Sequence, residues 1–233
     1  ERGLICPHWQ FRDREQGVVA TFDLGLLKGE TNHPYRLQCE QWKLTEKLRD
    51  MIDGWDLADI VYDATATGVT QDDDGVTLTI RNSDGGEEQL RGRYLIACDG
   101  AHSRIREMLG IEFEGMTIPE TFFSMSTTFD FAAAIEDLAP IAYVTDPKEW
   151  AVLLRTPSLW RILLPTEPGM SDEQIKDPVQ MEARLQALCP KDGPYDVVHA
   201  TAYRVHQRVA ATYDQGRVFL AGDAVHLVVP TGG

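Results

Sequence analysis

The chain has 233 residues, of which 43% are hydrophobic, so it is long enough to form one large domain or two small ones. Its 22 basic and 37 acidic residues give a net charge of -15, which argues against the polyphosphate backbone of nucleic acid as a partner. Because no apolar stretch approaches the roughly 18 residues that a bilayer crossing needs, we predict no membrane span.

The first part of the chain, residues 1–34, holds strand-like and loop sequence. A helix is predicted to begin near Gln41 and to end at Gly54, because apolar side chains recur there at helical spacing. The side chains predicted to face the protein interior are Leu44, Leu48, Met51 and Ile52.

Extended runs follow the helix. They lie at residues 60–70, 75–82 and 89–98, and the turn Ser83-Asp84-Gly85-Gly86 between the last two is a strong hairpin signal. The third run ends in five apolar residues, Tyr94 to Cys98, which suit a strand of a parallel sheet that is covered on both faces. Asp99 and Gly100 would then lie at the carboxyl end of that strand, where ligands gather in open α/β sheets.

A short helix is predicted directly after the turn at Asp99 and Gly100, with Ser103 as its N-cap and Gly110 at its end. Arg104 and Arg106 fall in the first turn, where the helix dipole does not favour a cation. Their position favours an anionic partner over a purely structural role. A self-contained aspartate turn with solvated arginines is the alternative interpretation.

The rest of the chain is predicted to contain further strands and a helix, followed by a second strand that ends in an acidic turn. Further strands are predicted at residues 122–131, 141–145, 151–155, 160–165 and 196–209, with a helix over 171–188. The last segment, Val218 to Gly233, runs from an apolar strand into Gly222 and Asp223, whose carboxylate suits a hydrogen bond from a sugar-alcohol hydroxyl. Pro230 fixes the backbone beyond that turn, and Gly232 and Gly233 leave room for main chain to approach a flat ring.

The cysteines and histidines do not predict a metal site. Cys6, Cys39, Cys98 and Cys189 are scattered without C-x-x-C spacing, which is typical of reduced thiols in a cytoplasmic protein. His199 and His206 are seven residues apart in a predicted strand, so they would face opposite sides of it.

The segments 94–106 and 218–233 together resemble the two internal fingerprints of the FAD-dependent aromatic hydroxylases, the single-component flavoprotein monooxygenases resembling p-hydroxybenzoate hydroxylase. Gln41-Trp42-Lys43-Leu44 followed by Leu48 is similar to the Gln-x-x-Leu-(Glu)-x-x-Leu helix of that family, although Thr45 stands where glutamate is usual. In the family, the glutamine of that helix contacts FAD.

The resemblance implies a mixed α/β (α+β) fold, with part of an FAD-binding Rossmann-like lobe and an interleaved antiparallel β-sheet substrate domain. It assigns residues 35–112 and 213–233 to the incomplete FAD-binding lobe, and residues 1–34 and 113–212 to the substrate-binding sheet. The G-x-G-x-x-G element that opens the family's fold and holds the FAD diphosphate does not occur in this sequence. We therefore expect a fragment of a longer protein that lacks this N-terminal element and the C-terminal part.

The resemblance also implies an activity, namely hydroxylation of a phenolic or other aromatic substrate with NAD(P)H and O2 through a flavin C4a-hydroperoxide. The residues implied to bind the cofactors are Gln41, Asp99, Gly100, Ser103, Arg104, Arg106, Gly222, Asp223, His226, Pro230, Gly232 and Gly233. Pro230 is the single catalytic candidate, and no general base is predicted. The oligomeric state stays open, and a homodimer is one possibility.

Aromatic side chains in the strand-rich region are candidates for the walls of a substrate pocket, because an aromatic substrate favours flat apolar neighbours. They are Phe123, Tyr143 and Trp160, for each of which a place in the core is the alternative. Arg155 and Arg161 flank the same predicted hairpin and could bind a carboxylate or phenolate. Two other functions stay open: an FAD-dependent reductase or dehydrogenase of the same fold, similar to the geranylgeranyl reductases, and an inactive fragment that acts only as a binding module.

Overall fold

The computed structural model describes residues 2–228, and its contacts divide the chain into two compact units. Unit 1 comprises Glu1–Met51 and Pro119–Arg204, and unit 2 comprises Ile52–Ile118 and Val205–Gly233. Its helices and strands confirm the predicted mixed α/β class. Residues 35–51 group with unit 1, whereas the sequence assigned them to the same lobe as Asp99, and the cofactor and substrate roles of the two lobes stay predictions.

The strands are β1 (Leu4–Cys6), β2 (His8–Asp13), β3 (Gly17–Asp23), β4 (Arg36–Gln38), β5 (Thr65–Gln71), β6 (Val76–Arg81), β7 (Glu87–Gly92), β8 (Leu95–Ala97), β9 (Phe113–Thr127), β10 (Ile141–Thr145), β11 (Ala151–Arg155), β12 (Trp160–Pro165), β13 (Val197–Ala210), β14 (Asp214–Gln215), β15 (Val218–Leu220) and β16 (His226–Leu227). The helices are α1 (Gln41–Ile52), α2 (Arg104–Met108), α3 (Phe131–Ala134), α4 (Asp172–Ile175) and α5 (Pro178–Leu188), with 3-10 turns at Leu24–Leu27 and Gly222–Ala224.

Unit 1 is built on a sheet in which β13, β9, β12, β11, β10, β2 and β3 lie in that order. β10 and β2 run parallel, while β9, β12, β11 and β10 pair antiparallel in succession. One face of this sheet, which we call the closed face, packs against Ile175 of α4 and Leu185 of α5. The buried closed-face side chains of the sheet include Phe123, Met125, Ala142, Leu153, Trp160 and Ile162.

The opposite face of the same sheet, which we call the open face, carries the alternate residues of each strand because successive side chains of a strand point to opposite sides. Tyr143, Val152 and Leu163 lie side by side on it, according to the register of β10, β11 and β12. They are only partly buried, in contrast to their closed-face neighbours. The open face is therefore less completely covered than the closed face at these three positions, although Ile141 on the same face is buried.

Helix α1 in unit 1 does not bury the side that its sequence pattern suggests. Leu44, Leu48 and Met51 are 58%, 48% and 44% exposed, and none of the twelve residues of α1 is buried. The prediction that this stripe faces the interior of the chain is wrong. Helical periodicity identified the apolar side correctly, but it carries no information on what lies opposite.

Unit 2 contains two three-stranded sheets, ordered β5-β6-β7 and β14-β15-β8. The predicted hairpin is confirmed, since β6 and β7 pair antiparallel and the amide of Asn82 donates to the carbonyl of Gly86 at 2.9 Å. The predicted single strand over 89–98 is instead two strands, because β7 ends at Gly92 and β8 pairs with β15 in the other sheet. Buried apolar residues of both sheets and of α2 form the unit 2 core, which includes Val76, Ala97, Ile105, Val218 and Leu220.

Further boundaries also differ from those predicted, including the start of β5 at Thr65 rather than at residue 60. The helix over 171–188 is split at Asp177, whose side chain accepts from the amide of Gln180 and so caps α5, while Pro178 occupies the first turn. A proline has no N–H with which to continue the preceding helix. Strand β9 begins at Phe113 rather than near residue 122, because it runs alongside β13. Within residues 2–228 no helix has the length and hydropathy of a membrane span.

The backbones of β9 and β13 approach each other closely at Gly115 in unit 2. Its φ is +131°, and a Cβ at this position would overlap the carbonyl oxygen of Gln207 and lie 2.8 Å from the Cα of Arg208. We expect Gly115→Ala to lower the free energy of unfolding by about 3 kcal/mol, because both strain and overlap with backbone oppose it. Urea denaturation measures the change, and Gly29→Ala, where a Cβ has no neighbour within 4 Å, should be nearly neutral.

Candidate cofactor site

The two predicted acidic turns of unit 2, Asp99-Gly100 and Gly222-Asp223, follow neighbouring parallel strands, and we call each of them a corner. β8 and β15 pair in parallel with Ala97 opposite Leu220, and the amide of Ala221 donates to the carbonyl of Ala97 at 2.9 Å. Asp99 and Asp223 come two and three residues after these paired positions. Both corners therefore lie at the same carboxyl edge of the sheet, which is where open α/β sheets bind ligands. We call residues 99–106 and 221–226 the corner site.

Asp99 organises its own corner. Its Oδ1 accepts from the hydroxyl of Ser103 at 2.5 Å, and its Oδ2 accepts from the amide of Ile105 at 3.1 Å. The Ser103 Oγ in turn accepts from the amide of Arg106 at 3.0 Å, which confirms Ser103 as the N-cap of α2. The Ser103 side chain is fully buried, so the structure gives it a capping role rather than an exposed surface for a cofactor. Asp99 is exposed.

Arg106 connects the two corners. Its Nη2 donates to the carbonyl of Ala101 at 2.9 Å and its Nη1 to the carbonyl of Ala224 at 2.8 Å. The guanidinium carbon lies 3.8 Å from the ring centroid of Phe113, and the residue is only 5% exposed. The sequence pattern favoured an anionic partner for Arg106, but these donors are directed at backbone carbonyls. Arg104, by contrast, is exposed.

The second corner is accessible. Gly222 has a φ of +59° and Gly100 has a φ of +85°, and a Cβ at either position would have no neighbour within 4 Å. Only glycine adopts such conformations readily, so the backbone of both corners stays open to a ligand. Asp223 is exposed, and its carboxylate has no hydrogen bond or ion pair to any other residue between 2 and 228. His226 is exposed on β16, where it pairs with Val209.

A basic cavity of about 340 Å³ lies beside the corner site in unit 2. Its walls are Ala101, His102, Arg106, Phe113, His206, Arg208 and Leu227. Arg208 donates to the carbonyl of Phe113 at 3.1 Å, and the Nδ1 of His206 lies 3.0 Å from the Oγ1 of Thr117. Sequence reasoning predicted Arg106 as a site residue but assigned no such role to His102, His206 or Arg208, although the position of His102 three residues after Asp99 is a local signal that could have identified it.

Other predicted site residues lie in unit 1. Gln41 is the exposed first residue of α1, and its carbonyl accepts from the hydroxyl of Thr45 at 3.3 Å. Phe123 and Trp160 are 0% and 2% exposed in the closed-face core, so the structure favours the core interpretation over the pocket-wall prediction for both. Tyr143 lies on the open face, where its ring centroid is 5.4 Å from that of Phe11.

The predictions for Pro230, Gly232 and Gly233 lie outside the residues that the structure describes. Among the residues it does describe, no three His, Cys, Asp or Glu side chains are close enough to hold a metal ion. The four cysteines are free, with Cys6 and Cys189 buried and the other two exposed.

Comparisons with known proteins agree on one family. A family model described as "FAD binding domain" matches residues 11–233. The chain is 32% identical, over 100% of its length, to para-nitrophenol 4-monooxygenase of Pseudomonas sp. (strain WBC-3) and covers 58% of that protein. It is 30% identical, over 99% of its length, to 6-hydroxy-3-succinoylpyridine 3-monooxygenase HspB of Pseudomonas putida (strain DSM 28022 / S16), of which it also covers 58%. The chain thus spans little more than half the length of these relatives.

A solved structure gives the same result. The crystal structure of p-nitrophenol 4-monooxygenase PnpA from Pseudomonas putida DLL-E4 matches with a TM-score of 0.90 and 30% identity, covering 100% of this chain and 59% of that one. Aklavinone-11 hydroxylase in complex with FAD and aklavinone matches with a TM-score of 0.79 at 22% identity, over 99% of this chain and 45% of that one, which shows a shared fold.

Proposed function

Since the chain belongs to the FAD binding domain family, we propose that it provides cofactor- and substrate-binding parts of an FAD-dependent aromatic hydroxylase that uses NAD(P)H and O2. The observation that carries this proposal is the corner site. Two glycine-containing acidic turns meet at one carboxyl edge of a parallel strand pair, and a buried arginine joins them.

The corner site fits an extended, hydroxyl-rich cofactor such as FAD. The Asp223 carboxylate, which has no partner among residues 2–228, would accept a hydrogen bond from a ribityl hydroxyl, and the open backbone at Gly222 and Gly100 would let the cofactor approach closely. Asp99, Ser103 and Arg106 would keep the two corners in place.

The proposed roles of the remaining site residues are based on the family to which the chain belongs. Gln41, Arg104, His226, Gly232 and Gly233 are proposed cofactor contacts, and Pro230 is proposed to fix the backbone beside the flavin ring. Bound FAD would supply the redox chemistry, accepting electrons from NAD(P)H and activating O2, while the protein orients the reactants and excludes water.

The basic cavity is the proposed contact for NAD(P)H. His102, His206 and Arg208 on its walls would attract the phosphate groups of a dinucleotide, and the apolar surface of Phe113 and Leu227 suits a flat ring. We propose this role because phosphates accept hydrogen bonds from guanidinium and imidazole N–H groups in partly enclosed sites.

The proposed substrate is a small phenolic or other hydroxylated aromatic compound. The relatives named above act, by their names, on a nitrophenol and on a hydroxylated succinoylpyridine, and a further relative from Burkholderia cenocepacia (strain HI2424) is a 3-(3-hydroxy-phenyl)propionate/3-hydroxycinnamic acid hydroxylase. A cytoplasmic location and assembly as a homodimer are proposed from the same family background.

The test is spectroscopic and then catalytic. Purified chain with added FAD is expected to show a perturbed flavin absorbance spectrum after free cofactor is removed, and phenols should stimulate NAD(P)H oxidation with oxygen from O2 entering the product. Reduction of a substrate without oxygen transfer would indicate the reductase alternative. A colourless protein that does not retain FAD would contradict the proposal and favour a simple binding module.

A further inference from the structure

Strand β3 lies at the outer edge of the unit 1 sheet. It pairs with β2 on one side, and among residues 2–228 no strand pairs with its other side. Alternate residues of an edge strand direct their amide and carbonyl groups away from the sheet, so β3 presents unpaired backbone groups to a further strand. Five of its seven residues are exposed, which leaves this edge accessible.

The side chains along this edge are largely apolar. Val18, Val19 and Phe22 on β3 are 42%, 67% and 42% exposed. Leu26 and Leu27, in the 3-10 turn that follows, are 84% and 47% exposed. Exposed apolar side chains beside an unpaired strand edge are typical of a surface that binds another chain.

Strand β7 in unit 2 is an edge strand of a different kind. It also lies at the end of its sheet, and all six of its residues are exposed. It carries the charges of Glu87, Glu88 and Arg91, and charged side chains on an edge oppose the addition of another strand. β3 has no charged residue before Asp23 at its end. It therefore lacks the charges that protect β7.

A second copy of β3 fits this edge. Two antiparallel β3 strands centred on Ala20 would place Asp23 opposite Gly17. A pair centred on Thr21 would place Asp23 opposite Val19. In neither register do two charges face each other, and each strand offers its partner the same contacts, as in a twofold homodimer. The register of β2 and β3 shifts at Val19, and such a bulge bends the strand, so the pairing would be short.

We propose that β3 pairs antiparallel with β3 of a second copy of this chain, so that two unit 1 sheets join across a twofold axis. This inference rests on the homodimer named in the proposed function and assigns its contact surface. It is independent of the proposed chemistry. Because the contact is short, it buries less area than a stable interface does, and the dimer should dissociate on dilution.

Sedimentation velocity of the full chain over a series of protein concentrations measures the Kd of the dimer. The buffer contains about 0.15 M salt, where repulsion between two copies with a net charge of -15 each is largely screened. Thr21→Lys should raise the Kd by about tenfold or more, because the two lysines would lie opposite or diagonal to each other across the axis. Thr21 is exposed, and its hydroxyl accepts a hydrogen bond from Gln10 at 3.3 Å, so the variant should keep its fold.

Thr70→Lys is the matched control, because Thr70 is an exposed threonine on β5, an edge strand of unit 2. We expect it to leave the Kd of the dimer unchanged. A chain that is monomeric at every concentration would overturn the proposal. A dimer that Thr21→Lys leaves intact, or that both variants weaken equally, would overturn it as well.

Disulfide trapping in Ala20→Cys and Thr21→Cys locates the axis. A residue on the axis has its own copy directly opposite, at a Cα distance of about 4.5 to 5.5 Å that suits a disulfide. We expect one of the two variants to form covalent dimers under mild oxidation, above the level that the original chain forms through its exposed Cys39 and Cys98. No excess in either variant would contradict the β3 contact. Retention of FAD, measured in parallel, tests the proposed chemistry separately, since a monomeric chain that retains FAD would contradict only the dimer contact.

Discussion

Asp223→Asn is expected to weaken FAD binding by about ten- to hundredfold, because it removes the charge from a hydrogen bond to a cofactor hydroxyl while keeping the shape of the side chain. Asp223 is exposed, and its carboxylate has no partner among residues 2–228, so the substitution should not disturb the fold. A binding titration followed by the fluorescence of FAD gives the Kd for FAD of the original chain and of the variant.

Asp214→Asn is the matched control for this substitution. Asp214 is an exposed aspartate in the same three-stranded sheet, on β14, which pairs with β15. It lies before β15, whereas Asp223 follows the carboxyl end of that strand. We expect the control to bind FAD with unchanged Kd. Equal affinity of Asp223→Asn and the original chain would rule out the proposed contact.

Arg106→Met is expected to lower the free energy of unfolding by about 3 kcal/mol, because it leaves the carbonyls of Ala101 and Ala224 without their donors in a buried position. It should also weaken FAD binding, since Arg106 is the side chain that joins the two corners. Urea denaturation followed by circular dichroism measures the stability change.

Arg104→Met is the control for Arg106→Met, because Arg104 lies in the same turn of α2 but is exposed. Its effect on stability should stay within about 0.5 kcal/mol. Similar unfolding midpoints for the two variants would contradict the bridging role of Arg106.

The corner site was predictable because its signals are local. An apolar run that ends in Asp99-Gly100 and another that ends in Gly222-Asp223 are visible in the sequence, and the structure confirms that both strands are parallel neighbours. The N-cap role of Ser103 could be predicted for the same reason, since it concerns bonds within four residues. The family resemblance, based on these segments, is confirmed by the family match.

The partners of the buried groups were not predictable from local sequence. Arg106 donates to Ala224, which is 118 residues away, and no pattern near residue 106 indicates that carbonyl. Trp160 and Phe123 were candidates for pocket walls with a place in the core as the alternative, and strand register places both on the closed face. A shift of one residue in that register would have reversed the result.

The burial of helix α1 could not be predicted, for a different reason. Its periodicity predicted a helix with an apolar side, and the structure has that helix from Gln41 to Ile52, yet Leu44 and Leu48 stay exposed. Periodicity reports which side chains share a face, and burial depends on other parts of the chain that the pattern does not encode.

The corner site at the carboxyl edge of β8 and β15 is proposed to bind FAD, and a crystal structure of the chain grown with FAD would reveal whether it does. We expect electron density for the cofactor along both corners, with a ribityl hydroxyl within about 3 Å of the Asp223 carboxylate. Density for FAD at another surface, with Asp223 facing solvent, would contradict it.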